Sequence, residues 1–191
     1  MAKKAKKKAP ARRPARKAAS KSSGGNGGFS MKNQFLDSFQ KEHATTMKVI
    51  RAYPPNQGEF RPHPRSHCAR ELAFTFQLEQ TLMSLALTNQ LKLGGGFPKA
   101  PMDFQSIIAQ FDKDYHGLVD LIKKTSEKEL ATGTVVFPTG PGKLADWPKI
   151  QFLWFLLSDQ IHHRGQYAVY TRMAGGKVPS IYGPSADEPW T

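Results

Sequence analysis

A single cysteine, Cys68, leaves this chain with no intramolecular disulfide, so its stability has to come from a buried core. No stretch approaches the roughly 20 apolar residues of a membrane span, so no membrane partner is expected. Acidic residues are missing from positions 1–23, which hold ten of the 28 Lys and Arg. That leader also lacks the apolar core of a secretory signal, although a transit peptide, equally basic and acid-poor, stays open. Strand-like alternation is scarce, and no nucleophile–base constellation names a reaction. A reducing compartment and a cytoplasmic location are the expectations these features leave.

What is present suits one domain of ordinary size. The 191 residues are 39% hydrophobic, with twelve Phe to fill a core. The formal charge of +13 suggests nucleic acid, but its distribution matters more. Removing the ten basic residues of the leader leaves 18 against 15 acidic ones in positions 24–191, a net of +3. Rich in Ala, Lys, Pro and Arg, the leader buries too little to offset the entropy of ordering and is expected to be disordered. Weak, sequence-independent nucleic-acid contact through residues 1–23 is one expectation; a solubilising or acid-binding tail is the other.

Ser22 to Gly28 is a flexible Gly/Ser linker, so residues 1–28 form a tail and residues 29–191 a domain. Four helices are expected there. The first runs from about Ser30 to Arg51, with Phe35, Phe39, His43, Met47 and Ile50 on one face. The second starts after a Ser66 N-cap and ends near Asn89. Asp103 caps the third, whose buried stripe is Phe104, Ile107, Ile108, Phe111, Tyr115, Leu118 and Ile122. A loop follows from Thr132 to Lys149, with a short extended piece at Val135–Phe137. Asp146 then caps the fourth helix, which Gly175-Gly176 stops. The fold class is all-α, a four-helix bundle.

Polar residues stand where apolar ones belong. On the fourth helix, Phe152, Phe155, Asp159, His162, His163, Gln166 and Tyr170 share a stripe at about 100° per residue. On the second, Glu79 sits among Leu72, Phe76, Leu82 and Met83; on the first, His43 sits between Phe39 and Met47. Unpaired charge in a core is costly, so these groups need partners. A carboxylate facing imidazoles can form a hydrogen-bonded pair, an acid–base pair or a divalent metal site. Asp159 and His163, four apart, have the spacing by which one helix presents two ligands, and a structural Asp–His bond fits as well. His43 reads as a satisfied core residue, Cys68 as a small buried one, and Arg164, off the stripe, as half of a surface salt bridge.

Residues 158–187, SDQIHHRGQYAVYTRMAGGKVPSIYGPSAD, resemble the C-terminal helix and tail of the DinB/YfiT-like superfamily, where a helical His-His-Arg-Gly-Gln segment recurs. Arg61-Pro62-His63-Pro64-Arg65-Ser66 and Arg70-Glu71-Leu72-Ala73-Phe74 fit the same family, so the resemblance covers about residues 30–191. It implies an up-down-down-up bundle, often dimeric, in a family named for DNA-damage induction. Many members bind a divalent metal through a His on the second helix and a His-x-x-x-His pair on the fourth; some are thiol-dependent transferases or isomerases. Those positions fall on Thr75, Asp159 and His163, so one histidine of three is kept. Thr75 is a poor ligand, and Glu79, one turn away, can replace it in a Glu79–Asp159–His163 site for Zn, Ni, Mn or Fe. Alternatively the metal is lost and the cluster is a structural or ligand-binding relic.

Two functions therefore stand. One is a metal- or thiol-dependent transferase- or hydrolase-like enzyme, with His162 as a nearby acid or base. The other is a stress-response or ligand-binding bundle without chemistry. A homodimer is expected under both. The C-terminal run Lys177–Ser185 is expected to pack along the bundle or across a dimer seam.

Overall fold

A computed structural model describes residues 30–94 and 96–190; the tail and linker expected over residues 1–28 lie outside the described residues. Ser30 opens the first helix, α1 (Met31–Arg51), by accepting the Asn33 N–H at 3.0 Å. Helix α2 (Ala69–Leu87) starts two residues later than a Ser66 cap implies. Cys68 holds the N-cap position because its N–H donates to the Glu71 carboxylate at 2.8 Å, while Ser66 N–H turns back to the His63 carbonyl. Asp103 caps α3 (Phe104–Lys124) as expected, accepting from Gln105 and Ser106.

The expected extended piece at Val135–Phe137 lies in a strand, while the rest of the expected loop of residues 132–149 is a correction. Helix α4 (Glu127–Thr132) leads into a hairpin of β1 (Thr134–Gly140) and β2 (Lys143–Pro148), and α5 (Lys149–Met173) follows. The described residues are thus mostly helical, as expected, with a small two-stranded antiparallel sheet added to the helices. Gly142, at φ 67°, makes the reversal that a Pro-Gly turn requires. Asp146 lies in β2 opposite Val136 and caps nothing; Lys149 N–H instead donates to the Gly133 carbonyl at 2.9 Å. Phe137 and Trp147 turn inward, their rings 4.9 Å from Phe152 and 5.2 Å from Phe155 respectively.

Among the long helices, α1 and α2 each pack mainly on α3 and α5, giving the cyclic order α1–α3–α2–α5. Their buried faces form two apolar clusters. One gathers Phe35, Phe39, Met83, Leu118, Phe152 and Leu156; the other gathers Met47, Ile50, Phe76, Ile107, Phe111 and Tyr167. Between the clusters runs a polar layer, in which His43, Glu79, Gln80, Gln160 and Arg164 are all buried. Gln80 Nε2 donates to His43 Nδ1 at 3.4 Å, His43 Nε2 meets Asp112 at 3.1 Å, and Gln160 Nε2 donates to the Phe76 carbonyl at 3.2 Å. Burial holds the His43 imidazole below its ordinary pKa, the outcome for a core histidine kept neutral.

Arg164 is not a surface residue. It is 1% exposed, pairs with Glu42 on α1 at 2.7 Å, and donates to the Glu42 carbonyl and Thr46 Oγ1 at 3.2 Å each. Its guanidinium also donates to the Tyr182 hydroxyl, which passes its own proton to Glu42 at 2.7 Å. Tyr182 belongs to the C-terminal run, and that run lies along this chain's own helices. Lys48 on α1 binds Glu188 at 2.7 Å, and Arg172 on α5 binds Asp187 at 2.6 Å. No helix among the described residues is long and apolar enough to cross a membrane.

Truncating Arg164 strands Glu42 and empties a buried site that joins three segments. Arg164→Ala is expected to lower stability by about 3–5 kcal/mol in urea unfolding, against about 1 kcal/mol or less for a surface pair. A loss in the smaller range would mean that the guanidinium is solvated.

Candidate metal centre

Glu79 reaches the polar layer because α2 turns it between Phe76 and Met83, both fully buried on the core face. Asp159 and His163 stand one turn apart on α5, at the margin of its buried face. The most enclosed line of α5 runs through Leu153, Leu157, Gln160, Arg164, Tyr167 and Thr171. The stripe read from the sequence lies beside that line and faces a cavity, which leaves Phe155 exposed and Asp159 and His163 part-buried.

The three side chains meet. His163 Nδ1 is 2.9 Å from Glu79 Oε1 and 3.9 Å from Asp159 Oδ1, and one donor atom from each residue lies within 4.8 Å of the others. Two donors at right angles around an ion about 2.1 Å from each sit about 3.0 Å apart, so the shorter spacing fits a shared ion as well as a hydrogen bond. Glu79 is 3% exposed, and its second oxygen, Oε2, is buried with no hydrogen-bond partner. Burial, and then the neighbouring Asp159 charge, push the Glu79 carboxyl well above its ordinary value of 4.5. A lone buried carboxylate oxygen beside a second carboxylate is what a cation would satisfy, so the donors present fit a divalent ion.

The cluster opens on a cavity of about 740 Å³ walled by α2, α5, β1 and the segment between α2 and α3. Thr75 lines it, its hydroxyl donating to the Glu71 carbonyl at 3.3 Å, and stands outside the Glu79 cluster. His162 is not brought in: it is exposed, bonded to Gln166 at 2.8 Å, and absent from the cavity wall. His43 lies elsewhere, stacked on Tyr115 with centroids 3.7 Å apart.

Sequence reasoning missed the outer wall. Arg70 Nε donates to Glu59 at 2.7 Å and Nη1 to the Ala100 and Pro101 carbonyls at 3.1 Å each. That clamp fixes the segment carrying Phe97 and Met102, which form part of the cavity rim. An Arg in the first turn of a helix was the only available signal, and its partners lie 11 to 31 residues away.

The family model described as the DinB family matches residues 29–190. This chain belongs to the DinB family. A 41-residue stretch is 51% identical to the uncharacterized protein YrdA of Bacillus subtilis, covering 22% of this chain and 25% of that protein. The stretch spans a quarter of YrdA's length. Among solved structures, a DinB-like protein from Bacillus cereus superimposes with a TM-score of 0.63 at 24% identity, covering 78% of this chain and 97% of the other. The DinB-like protein YjoA of Bacillus subtilis gives 0.59 at 16% identity, covering 76% and 94%. At these identities the structural likeness is one of fold, and the geometry of the Glu79 cluster rests on this DinB-family chain alone.

Because its folded pKa is raised, Glu79 contributes stability that is fully present below pH 4.5 and lost as pH rises through the folded value. With metal removed by chelator, Glu79→Gln is therefore expected to raise stability near neutral pH by about 1 kcal/mol, or about 2–4 °C in Tm. The difference should shrink towards pH 4, as thermal unfolding across pH will show. A variant less stable than wild type at pH 7.5 in chelator would mean that an ionised Glu79 is welcome in the metal-free fold.

Proposed function

We propose that this DinB-family protein binds a divalent first-row metal ion through Glu79, Asp159 and His163 and uses it at the floor of the cavity. The observation that carries the reading is Glu79 Oε2, buried without a partner beside a second carboxylate. Two carboxylate oxygens and one imidazole suit Zn, Ni, Mn or Fe, and three protein donors on one side leave coordination positions facing the cavity. A bound ion there supplies Lewis-acid activation of a carbonyl, thiol or water. The protein's own part is to hold His163 with Nδ1 towards the carboxylates and to shield the cluster with apolar walls. A metal-dependent transferase- or hydrolase-like activity follows from such a site; His67 and Glu71 also line the cavity, and neither names the reaction.

The same reading takes the four long helices as an up-down-down-up bundle, supported by their cyclic packing and by the likeness to the two DinB-like structures. Val169 and Met173, exposed one turn apart on α5, support a homodimer seam. The ten basic residues of positions 1–23 support weak phosphate contact as a separate property.

The direct 2.9 Å bond between Glu79 and His163 supports a second reading, a metal-free cavity in which that pair is structural and the bundle only binds ligand or partner.

Metal titration separates the two. Wild type is expected to take up one ion per chain, with Asp159→Ala and His163→Ala weakening uptake by more than the 10–100-fold typical of losing a mere supporting contact, about a hundredfold or greater. Free metal at a hundred times Kd should add about 2.7 kcal/mol of stability to wild type alone. If wild type retains no metal after reconstitution, and Asp159→Ala is silent while His163→Ala only destabilises, the metal-free reading holds.

A further inference from the structure

The walls of the cavity and its floor differ in chemistry, and the difference selects a ligand. Floor and charge come first. Glu79 and Asp159 carry two negative charges between them when ionised, which a divalent ion cancels. Two of the other ionic groups on the wall are already engaged. Arg70 is held by Glu59 and two backbone carbonyls, while Glu71 accepts from Cys68 N–H and lies 3.6 Å from His67. Lys99 stands at the solvent-exposed rim. A divalent ion held by these residues would give the floor its place for a polar head.

Beyond the floor most of the lining is apolar, with Thr75, Gln166 and His67 as further polar groups. Phe74 and Leu78 of α2, Phe137 of β1 and Phe155 of α5 line the cavity, with Phe97 and Met102 at its outer edge. Phe97 is 66% and Met102 78% exposed, although both are large and apolar. Left to themselves such side chains retreat from water. Here Arg70 clamps Ala100 and Pro101 between them and holds them beside the opening. Phe155, at 36%, is likewise uncovered on the cavity side of a helix whose neighbouring residues are buried. A volume of about 740 Å³ falls within the range of small-molecule pockets.

We infer that the cavity takes an arylalkyl or alkyl acid: a compact apolar body against Phe97, Met102 and Phe155, and one monoanionic two-oxygen head directed at the metal of the Glu79–Asp159–His163 cluster. This rests on the metal reading proposed above and adds the class of ligand. A monoanionic head meets a neutralised site, whereas a phosphate ester or a sugar brings more charge or hydroxyls than the few polar groups on these mostly apolar walls can pair. Phe97 and Met102 are then specificity-determining residues, set by the segment between α2 and α3.

Calorimetric titration of the metal-loaded protein with two hydroxamates tests it. Acetohydroxamate and 3-phenylpropanohydroxamate share a head and differ in the apolar body. The phenyl compound is expected to bind at least about tenfold more tightly to wild type. In Phe97→Ser/Met102→Ser, both exposed positions that leave the core intact, that advantage should fall to about threefold or less, with metal affinity unchanged. Equal binding of the two hydroxamates by metal-loaded wild type overturns the inference and leaves the metal site standing. An advantage that survives the double substitution overturns the role given to the rim. Failure of wild type to take up metal, measured before any hydroxamate is added, removes the proposed function and this inference together.

Discussion

A carboxylate oxygen without a partner, in the polar layer between two apolar clusters, is the constraint around which this chain is arranged. Leaving a buried acceptor unsatisfied costs roughly 1–3 kcal/mol, and more for a charged group. The fold keeps Glu79 in that position by locking α2 on both sides of it, Phe76 below and Met83 above, each packed in a different cluster. Relief is not available from the backbone, since α2 carbonyls and N–H groups are used within the helix. It comes from α5, where His163 reaches one oxygen and leaves the other buried without a partner.

Most of the rest of the polar layer is paired; Gln80 Oε1 shares with Glu79 Oε2 the lack of a partner, but Glu79 alone sets a carboxylate beside a second one. His43 has Gln80 and Asp112; Gln160 has the Phe76 carbonyl; Arg164 has Glu42, Thr46 and Tyr182. These bonds cross between helices and fix their relative positions, which a uniformly apolar core would do less specifically. Arg164 on α5 is fully paired and structural, while Glu79 on α2 meets the adjacent His163 of α5 and is left short of a partner beside the cavity. A paired scaffold next to the candidate cluster is the arrangement a pre-organised site needs.

Much of this was legible before any coordinates. Apolar spacing gave the four long helices, and the Glu79, Asp159 and His163 anomalies stood out because titratable groups interrupted apolar faces at helical spacing. The hairpin was not legible: Val135 to Phe137 is a short run cut off by Pro138, and β2 is exposed or half-exposed along its length, so no alternation marks it. Arg164 was misread because the aromatic stripe through Phe152 and Phe155 drew attention from the neighbouring, more deeply buried line. Its partners, 122 residues upstream and 18 downstream, leave no local trace. The Cys68 start of α2 was hidden by Ser66, a better cap by residue type, because a buried position for Cys68 and the Glu71 bond to its N–H outweighed that preference. The rim at Phe97 and Met102 escaped for the same reason as Arg164, since a long-range clamp and not a local pattern places it.

Anomalous diffraction from crystals of the metal-loaded protein, collected at that metal's absorption edge, addresses the central claim most directly. The account requires a peak about 2.0–2.2 Å from Glu79, Asp159 Oδ1 and His163 Nδ1, with the once-orphaned Glu79 oxygen drawn into contact or replaced there by its twin. A protein that binds metal with its peak at another cluster, while Glu79 stays hydrogen-bonded to His163 alone, would contradict it.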